Sequence, residues 1–271
     1  MQEIINITSS NTEIEYEDLS ELKSKRVLLL SMVNNCSHSY EYIKNFIVNI
    51  SKNVGYSSFH YITNNNIDGT VFLLENLSKY TNTTGTILPN ISINQSNRLE
   101  IFARMRNILF NNSLAIAGCN FDYVVIFDSD LICNIPHQSV LESFLVKGEW
   151  SSISANSIFS SMDYHYDVFA LRLLNESDNI RDIYDRFDQG YGKSSSWIKL
   201  YNFETWFEVK SAFGGLTIYK MPELVSILER DSFLYNLEGY PEYTCEHVTL
   251  ANKLAGKKLI NPNIKYAGTI T

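Results

Sequence analysis

Two carboxylates stand one residue apart in Asp128-Ser129-Asp130, directly after the apolar run Tyr123-Val124-Val125-Ile126-Phe127. Such a run reads as a buried strand. It cannot solvate the acids, so they must lie where the strand leaves its sheet. There both carboxylates can converge on one hard cation. Oxygen ligands suit Mg2+ or Mn2+, which keep some waters and complete their shell with substrate phosphates. The simplest use of such a site is to hold a nucleotide diphosphate and to neutralise it as a leaving group. A D-x-D triplet also occurs as solvated turn or helix-cap residues. The strand in front of it and the rest of the chain must decide.

The elements that would position these acids can be read around them. Arg26 to Val33 (RVLLLSMV) is the continuous apolar run of a buried parallel strand, and it ends in the loop composition Asn34-Asn35-Cys36-Ser37. A helix is expected from Ser39 to Asn53, with Tyr42, Phe46, Ile47 and Ile50 on one face. Ser58–Thr63 reads as a strand, Thr70–Lys79 as a helix and Gly85–Ile91 as a weaker strand. A long helix from Asn97 to Ala117 leads into the strand before Asp128. Strands alternating with helices imply a parallel sheet with right-handed crossovers, whose ligands bind beyond the carboxyl ends of the strands. Both the Asn34 loop and Asp128/Asp130 fall at those ends.

After Pro136 the pattern changes. A helix at 137–147, a strand at Trp150–Ala155, a polar and aromatic stretch to about 207, a strand at Phe213–Tyr219 and helices at Pro222–Asp231 and Cys245–Leu254 are expected. Residues 1–24 read as a polar tail or loosely docked segment, and 25–271 as one catalytic domain. Its nucleotide-binding half would be 25–135 and its acceptor-facing half 136–271.

Composition bounds the possibilities. The chain has 271 residues, 45% of them hydrophobic and 13% aromatic, enough for one well-packed α/β domain. A net charge of -8 argues against a nucleic-acid-binding surface, which needs clustered Lys and Arg. The four cysteines (Cys36, Cys119, Cys133, Cys245) have no zinc-ligand spacing and read as mostly buried thiols. No secretory signal and no membrane span is read from the chain, so a soluble, cytoplasmic protein is the expectation.

Several segments resemble one group of enzymes. Arg98-Leu99-(x)3-Ala103-(x)2-Arg106-Asn107-(x)-Leu109 and Tyr166-Asp167-(x)-Phe169-Ala170-Leu171-Arg172 are similar to segments of fungal capsule-associated mannosyltransferases. Ser211-Ala212-Phe213-Gly214-Gly215-Leu216-(x)-Ile218-Tyr219-Lys220, followed by Cys245-Glu246-His247-Val248, resembles segments of glycosyltransferases of large DNA viruses and some bacteria. With the acidic triplet after a strand, the chain resembles a DxD glycosyltransferase of GT-A fold over residues 26–256. The fold so implied is α/β and Rossmann-like, with a mostly parallel central sheet flanked by helices.

The resemblance also implies roles. Mn2+ or Mg2+ would bridge Asp128 and Asp130 to the donor diphosphate, with Asp130 the direct ligand and Asp128 binding ribose or reaching the metal through water. His247 would be a third metal ligand or a core histidine. Arg106 and Arg98, about 80° apart around the helix, would contact phosphate, donor sugar or the DxD carboxylates, with Asn107 beside them on the donor side, because a guanidinium fork pairs well with phosphate. Val33 and Asn34 would meet the base, and Gly214 and Gly215 would let backbone approach the donor. Glu246 would be the base that deprotonates the acceptor hydroxyl in an inverting transfer, although Glu-His stands where Glu-Asp is common. A helix-start glutamate also serves the helix dipole. Asp167 and Arg172 would touch substrate or form a structural ion pair. Tyr164, Tyr166, Tyr191, Trp197 and Trp206 offer sugar-stacking faces or core.

The expected activity is transfer of a sugar from a nucleoside-diphosphate sugar, UDP ahead of GDP, to a hydroxyl of a glycan or glycoconjugate. Two alternatives stay open. A sugar-1-phosphate nucleotidylyltransferase would need Gly and basic residues after the first strand, where Asn34–Ser37 has neither. A glycan-binding module would leave Asp128 and Asp130 unused.

Overall fold

The computed structural model describes residues 13–88, 98–130, 135–159, 167, 170–174, 205–240, 244–265 and 267–268. Its centre is a nine-stranded sheet. The strands are β1 (Arg26–Val33), β2 (Tyr56–Thr63), β3 (Asn82–Ile87), β4 (Tyr123–Phe127), β5 (Trp150–Ala155), β7 (Arg172–Leu173), β8 (Phe207–Ser211), β9 (Leu216–Lys220) and β10 (Lys257–Asn261). Their order across the sheet is β3-β2-β1-β4-β9-β5-β10-β8-β7, and the short β6 (Ile158–Phe159) pairs with β11 (Ala267–Gly268) outside it. The helices are α1 (Tyr40–Asn53), α2 (Thr70–Glu75), α3 (Arg98–Ala117), α4 (His137–Ser143), α5 (Met221–Arg230) and α6 (Glu246–Lys253).

β1 to β4 are all parallel, as the uninterrupted apolar runs of β1 and β4 require. The second half is mixed. β9 runs antiparallel to both β4 and β5, β10 lies parallel to β5, and β8 and β7 continue antiparallel. Because β9 is antiparallel, its beginning, not its end, lies at the edge where β1, β2, β4 and β5 finish. That single reversal brings Gly214 and Gly215 beside Asp128.

Alternate side chains of each strand enter opposite layers. Val27, Leu29, Val125, Phe127, Ile153, Leu216 and Ile218 pack on one face with Phe46, Ile47 and Ile50 of α1 and Val140, Leu141 and Phe144 around α4. Leu28, Leu30, Val124, Ile126 and Tyr219 pack on the other with α3, α5 and α6. Each buried leucine-sized side chain contributes about 1.5–3 kcal/mol, so both layers are needed to hold the sheet flat enough to carry a site on its rim.

Several elements extend past or fall outside the sequence reading. β7, β8 and β10 lie in segments read as polar stretch, loop or chain end. The strand read at Phe213–Tyr219 begins only at Leu216. Residues 15–24, read as a tail or loose segment, are docked. Glu17 donates its backbone N–H to the Leu145 carbonyl at 2.7 Å, Lys25 pairs with Glu17 at 2.5 Å, and Leu22 is buried. Trp206 is buried and donates its indole N–H to the Tyr16 hydroxyl at 3.1 Å, so it holds this segment rather than offering an open stacking face. Cys36 and Cys245 are buried but Cys119 is exposed. Tyr164, Tyr166, Tyr191, Trp197 and Cys133 lie outside the described residues.

Candidate active site

α3 crosses the sheet with Ala103, Arg106, Leu109, Phe110 and Ser113 buried at helical spacing. A small residue at 103 lets the helix sit close, and one turn later Arg106 is carried beneath the carboxyl edge of the sheet. The guanidinium is 5% exposed. Its Nε donates to Glu246 Oε1 at 3.1 Å, and a terminal nitrogen lies 3.8 Å from Asp128 Oδ1. The faces of Phe213 and Tyr235 stand 5.2 and 6.0 Å away. Burial opposes this charge, but Glu246, Tyr235 and Asp128 outweigh it and raise the Arg106 pKa further above its ordinary value. A charge so placed is safe only while its partners remain.

Asp128 leaves β4 with its N–H donated to the Gly215 carbonyl at 2.8 Å. Its side chain is 24% exposed. Burial, then the neighbouring Asp130, push its pKa well above the carboxylate range, against the pull of Arg106; Asp167 and Glu246 push the same way. Ser129 turns inward, donating its hydroxyl to the Met32 carbonyl at 2.8 Å beside the Cys36 thiol, while Asp130 points to solvent. Burial raises Asp167 to about 6. Its carboxylate accepts the Ala170 N–H at 3.2 Å, and Arg106 and Arg172 moderate the shift. Arg172 is buried in β7 and donates to the Leu171 carbonyl at 2.8 Å.

Four acids thus gather with two arginines, Arg106 and Arg172, and the outnumbering of cations by carboxylates suits a divalent cation. Two adjacent carboxylates are the right chemical type for Mg2+ or Mn2+. Among the described residues no group of three His, Cys, Asp or Glu side chains forms a complete cage, so diphosphate oxygens and water would have to finish the shell. The expectation of His247 as a third metal ligand gains nothing from the geometry. Its ring stacks on Phe213 at 3.7 Å, both nitrogens lack hydrogen-bond partners, and Nε2 lies 3.7 Å from Glu246 Oε1. Burial and Arg106 push its pKa well below the usual histidine value.

The other expected residues divide. Asn107 spends its amide on the backbone of Tyr235, donating to the carbonyl at 2.7 Å and accepting the N–H at 3.0 Å. It positions the Tyr235 loop rather than facing a donor. Arg98 is exposed, over the Phe102 ring at 5.1 Å, and makes no ion pair with the acids among the described residues. The Val33 carbonyl accepts the Thr63 hydroxyl at 2.5 Å. Asn34 is exposed and donates to the Asn64 carbonyl at 2.6 Å, tying the ends of β1 and β2 together. Gly214 and Gly215 have φ of 61° and 79°. A Cβ on Gly214 would overlap the Ala155 carbonyl oxygen, and the Gly214 carbonyl accepts the Ser157 hydroxyl at 2.5 Å. Missed by sequence reasoning were Phe213, Tyr235 and Ser129, which enclose Arg106 and anchor the acidic turn; an apolar or small residue carries no signal of that use.

No protein-family model matches this chain, and no curated protein matches its sequence. Solved structures do share its shape. A 1–349 fragment of Staphylococcus aureus TarS superposes with TM-score 0.51 and 10% identity, over 90% of this chain and 59% of that one. The longer TarS structure gives 0.50 and 10%, over 90% and 37%. The chain therefore spans little more than half of the first and about a third of the second. The mannosyltransferase PcManGT from Pyrobaculum calidifontis, in complex with GDP-Man and Mn2+, aligns at 0.45 with 14% identity, over 91% of this chain and 57% of its own. The architecture is the GT-A fold, a mixed central sheet flanked by helices.

Proposed function

We propose that this chain is a metal-dependent glycosyltransferase that moves a sugar from a nucleoside-diphosphate sugar to a hydroxyl of a glycan or glycoconjugate. UDP stands ahead of GDP as the nucleotide, and inversion is the expected course. The observation that carries the reading is the meeting of Asp128, Asp130, Arg106 and Glu246 at the carboxyl edge of a GT-A sheet. The capsule-associated and viral enzymes remain a resemblance of motifs.

In this reading Asp128 and Asp130 hold Mn2+ or Mg2+, which supplies offsetting charge as the diphosphate departs. Asp130 faces outward, free to ligate. Arg106, 3.8 Å from Asp128, offsets part of the negative charge and leaves the remainder for the cation. Val33 and Asn34 border the base. Gly214 and Gly215 bring backbone against the donor; at Gly214 no side chain fits against the Ala155 carbonyl of β5, and both have the positive φ that favours glycine. Glu246 takes the acceptor proton; Arg106 engages its Oε1, and its Oε2 accepts only the weak Cys245 thiol donor at 3.5 Å, a bond that an acceptor hydroxyl would replace. Asp167, Arg172 and Arg98 belong to the substrate side, with Arg98 reaching phosphate only from the helix end.

The test is thermal-shift binding of UDP and GDP, with and without Mn2+, to wild type and Asp130→Ala. A ligand that binds the folded state raises its melting temperature. Stabilisation by one nucleotide that needs Mn2+ and disappears in the variant is expected. Because Asp130 is exposed, the ligand-free variant should stay within about 0.5 kcal/mol of wild type. No shift with either nucleotide would move the assignment to a glycan-binding module.

A further inference from the structure

Asn156 follows β5 at the same edge of the sheet as Asp128. It is 0% exposed, and neither its amide oxygen nor its amide nitrogen has a hydrogen-bond partner. Buried primary amides are nearly always satisfied, and one with both ends empty is costly. Its backbone is fixed, for its N–H donates to the Ile264 carbonyl at 3.0 Å. The next residue, Ser157, donates to the Gly214 carbonyl at 2.5 Å, and Gly215 accepts the N–H of Asp128 at 2.8 Å. Asn156 is thus joined to the acidic turn through a short path: the Ser157 hydroxyl bond to Gly214 and the Gly215 carbonyl bond to Asp128.

We propose that Asn156 is a sugar-reading residue, whose amide donates to one hydroxyl and accepts from another on the sugar moiety of the bound donor. The inference rests on the glycosyltransferase reading above. A carboxamide offers one donor group and one acceptor group a few ångströms apart, the pairing that vicinal hydroxyls complement. The empty amide also explains how a covered group can be reached. Leaving it unsatisfied penalises the covered arrangement, which narrows the free-energy gap to an arrangement in which water or sugar meets it.

The experiment compares wild type with Asn156→Leu, nearly isosteric and apolar, and with Asn156→Ala. Melting temperatures are read without ligand, and affinities for UDP, GDP, UDP-glucose, UDP-GlcNAc and GDP-mannose are measured with Mn2+. The expected result is unchanged nucleotide binding and about tenfold weaker binding of the preferred sugar nucleotide in both variants. Ligand-free Asn156→Leu should melt about 2–4 °C higher than wild type. A lower melting temperature for Asn156→Leu would overturn the proposal, because it would mean that the amide is satisfied in the free protein. So would sugar nucleotides that bind the variants as they bind wild type, or an acceptor glycan whose binding alone suffers. Failure of wild type to bind any nucleotide would overturn the glycosyltransferase reading and this inference with it.

Discussion

At the scale of single residues, the site turns on a buried ion pair that no local pattern announces. Arg106 and Glu246 are 140 positions apart and meet at 3.1 Å. Removing one partner strands the other in a poorly solvated setting, at a cost of about 3–5 kcal/mol. Arg106→Met should therefore lose about that much stability, and Arg106→Met with Glu246→Gln should recover a large part of it, measured by urea denaturation. Losses in the double variant as large as in the single one would show that the pair is not the source. The acidic triplet was legible because an apolar strand ending in carboxylates is chemically conspicuous. Arg106 was legible as a group that could reach the acids, through its place beside Ala103 and Asn107, but its pairing with Glu246 was not, because nothing local links positions 140 residues apart. The orphaned amide of Asn156 was silent altogether, because its sequence neighbours are small, common residues.

At the scale of elements, the tight junction between β9 and β5 can be tested through its glycine. Gly214→Ala adds a Cβ into the Ala155 carbonyl and also places alanine at φ 61°. Gly118 has φ 74° but open space around it, so it serves as a control. Gly118→Ala should cost about 1–2 kcal/mol, the conformational cost alone, and Gly214→Ala distinctly more. Equal costs, read by thermal or chemical denaturation, would mean that the junction yields to the methyl group. β1 and β4 were visible because both their faces are covered, which makes them near-continuous apolar runs, whereas the part-exposed, polar β3 gave a weaker signal. β10 escaped notice because Lys257 and Lys258 open it and leave only a short apolar remainder. In β8, alternation of buried and part-buried residues over five positions is too brief to separate from loop.

At the scale of the whole molecule, burial of two histidines contributes to the acid side of the stability curve. Burial lowers the pKa of His60, whose ring shares a hydrogen bond with the Ser58 hydroxyl at 2.8 Å, and burial with Arg106 lowers that of His247. Below about 6.5 the unfolded chain takes up protons that the folded chain refuses, so stability falls as pH drops, by up to about 1.4 kcal/mol per pH unit for each such group. Asp167, raised to about 6, has the opposite sign: between about 6 and 4 the folded chain binds the extra proton and is favoured. His60→Gln should flatten the decline below pH 6.5 relative to wild type, measured as denaturation midpoint against pH. An unchanged slope would show that His60 is protonated in the fold.

The reversal at β9 has a consequence for how the molecule is made. β4 ends at residue 127, but the strand that covers its free side starts at residue 216. While the chain emerges from the ribosome, four parallel strands can pair with one apolar flank still bare, and β5 has no neighbour of its own to join. An open flank of that kind invites pairing with other chains. Long separation between pairing partners also slows closure. The joint that places the glycines beside the acids is therefore among the last to form, and until it closes the exposed edge of β4 is the chain's point of exposure to mispairing.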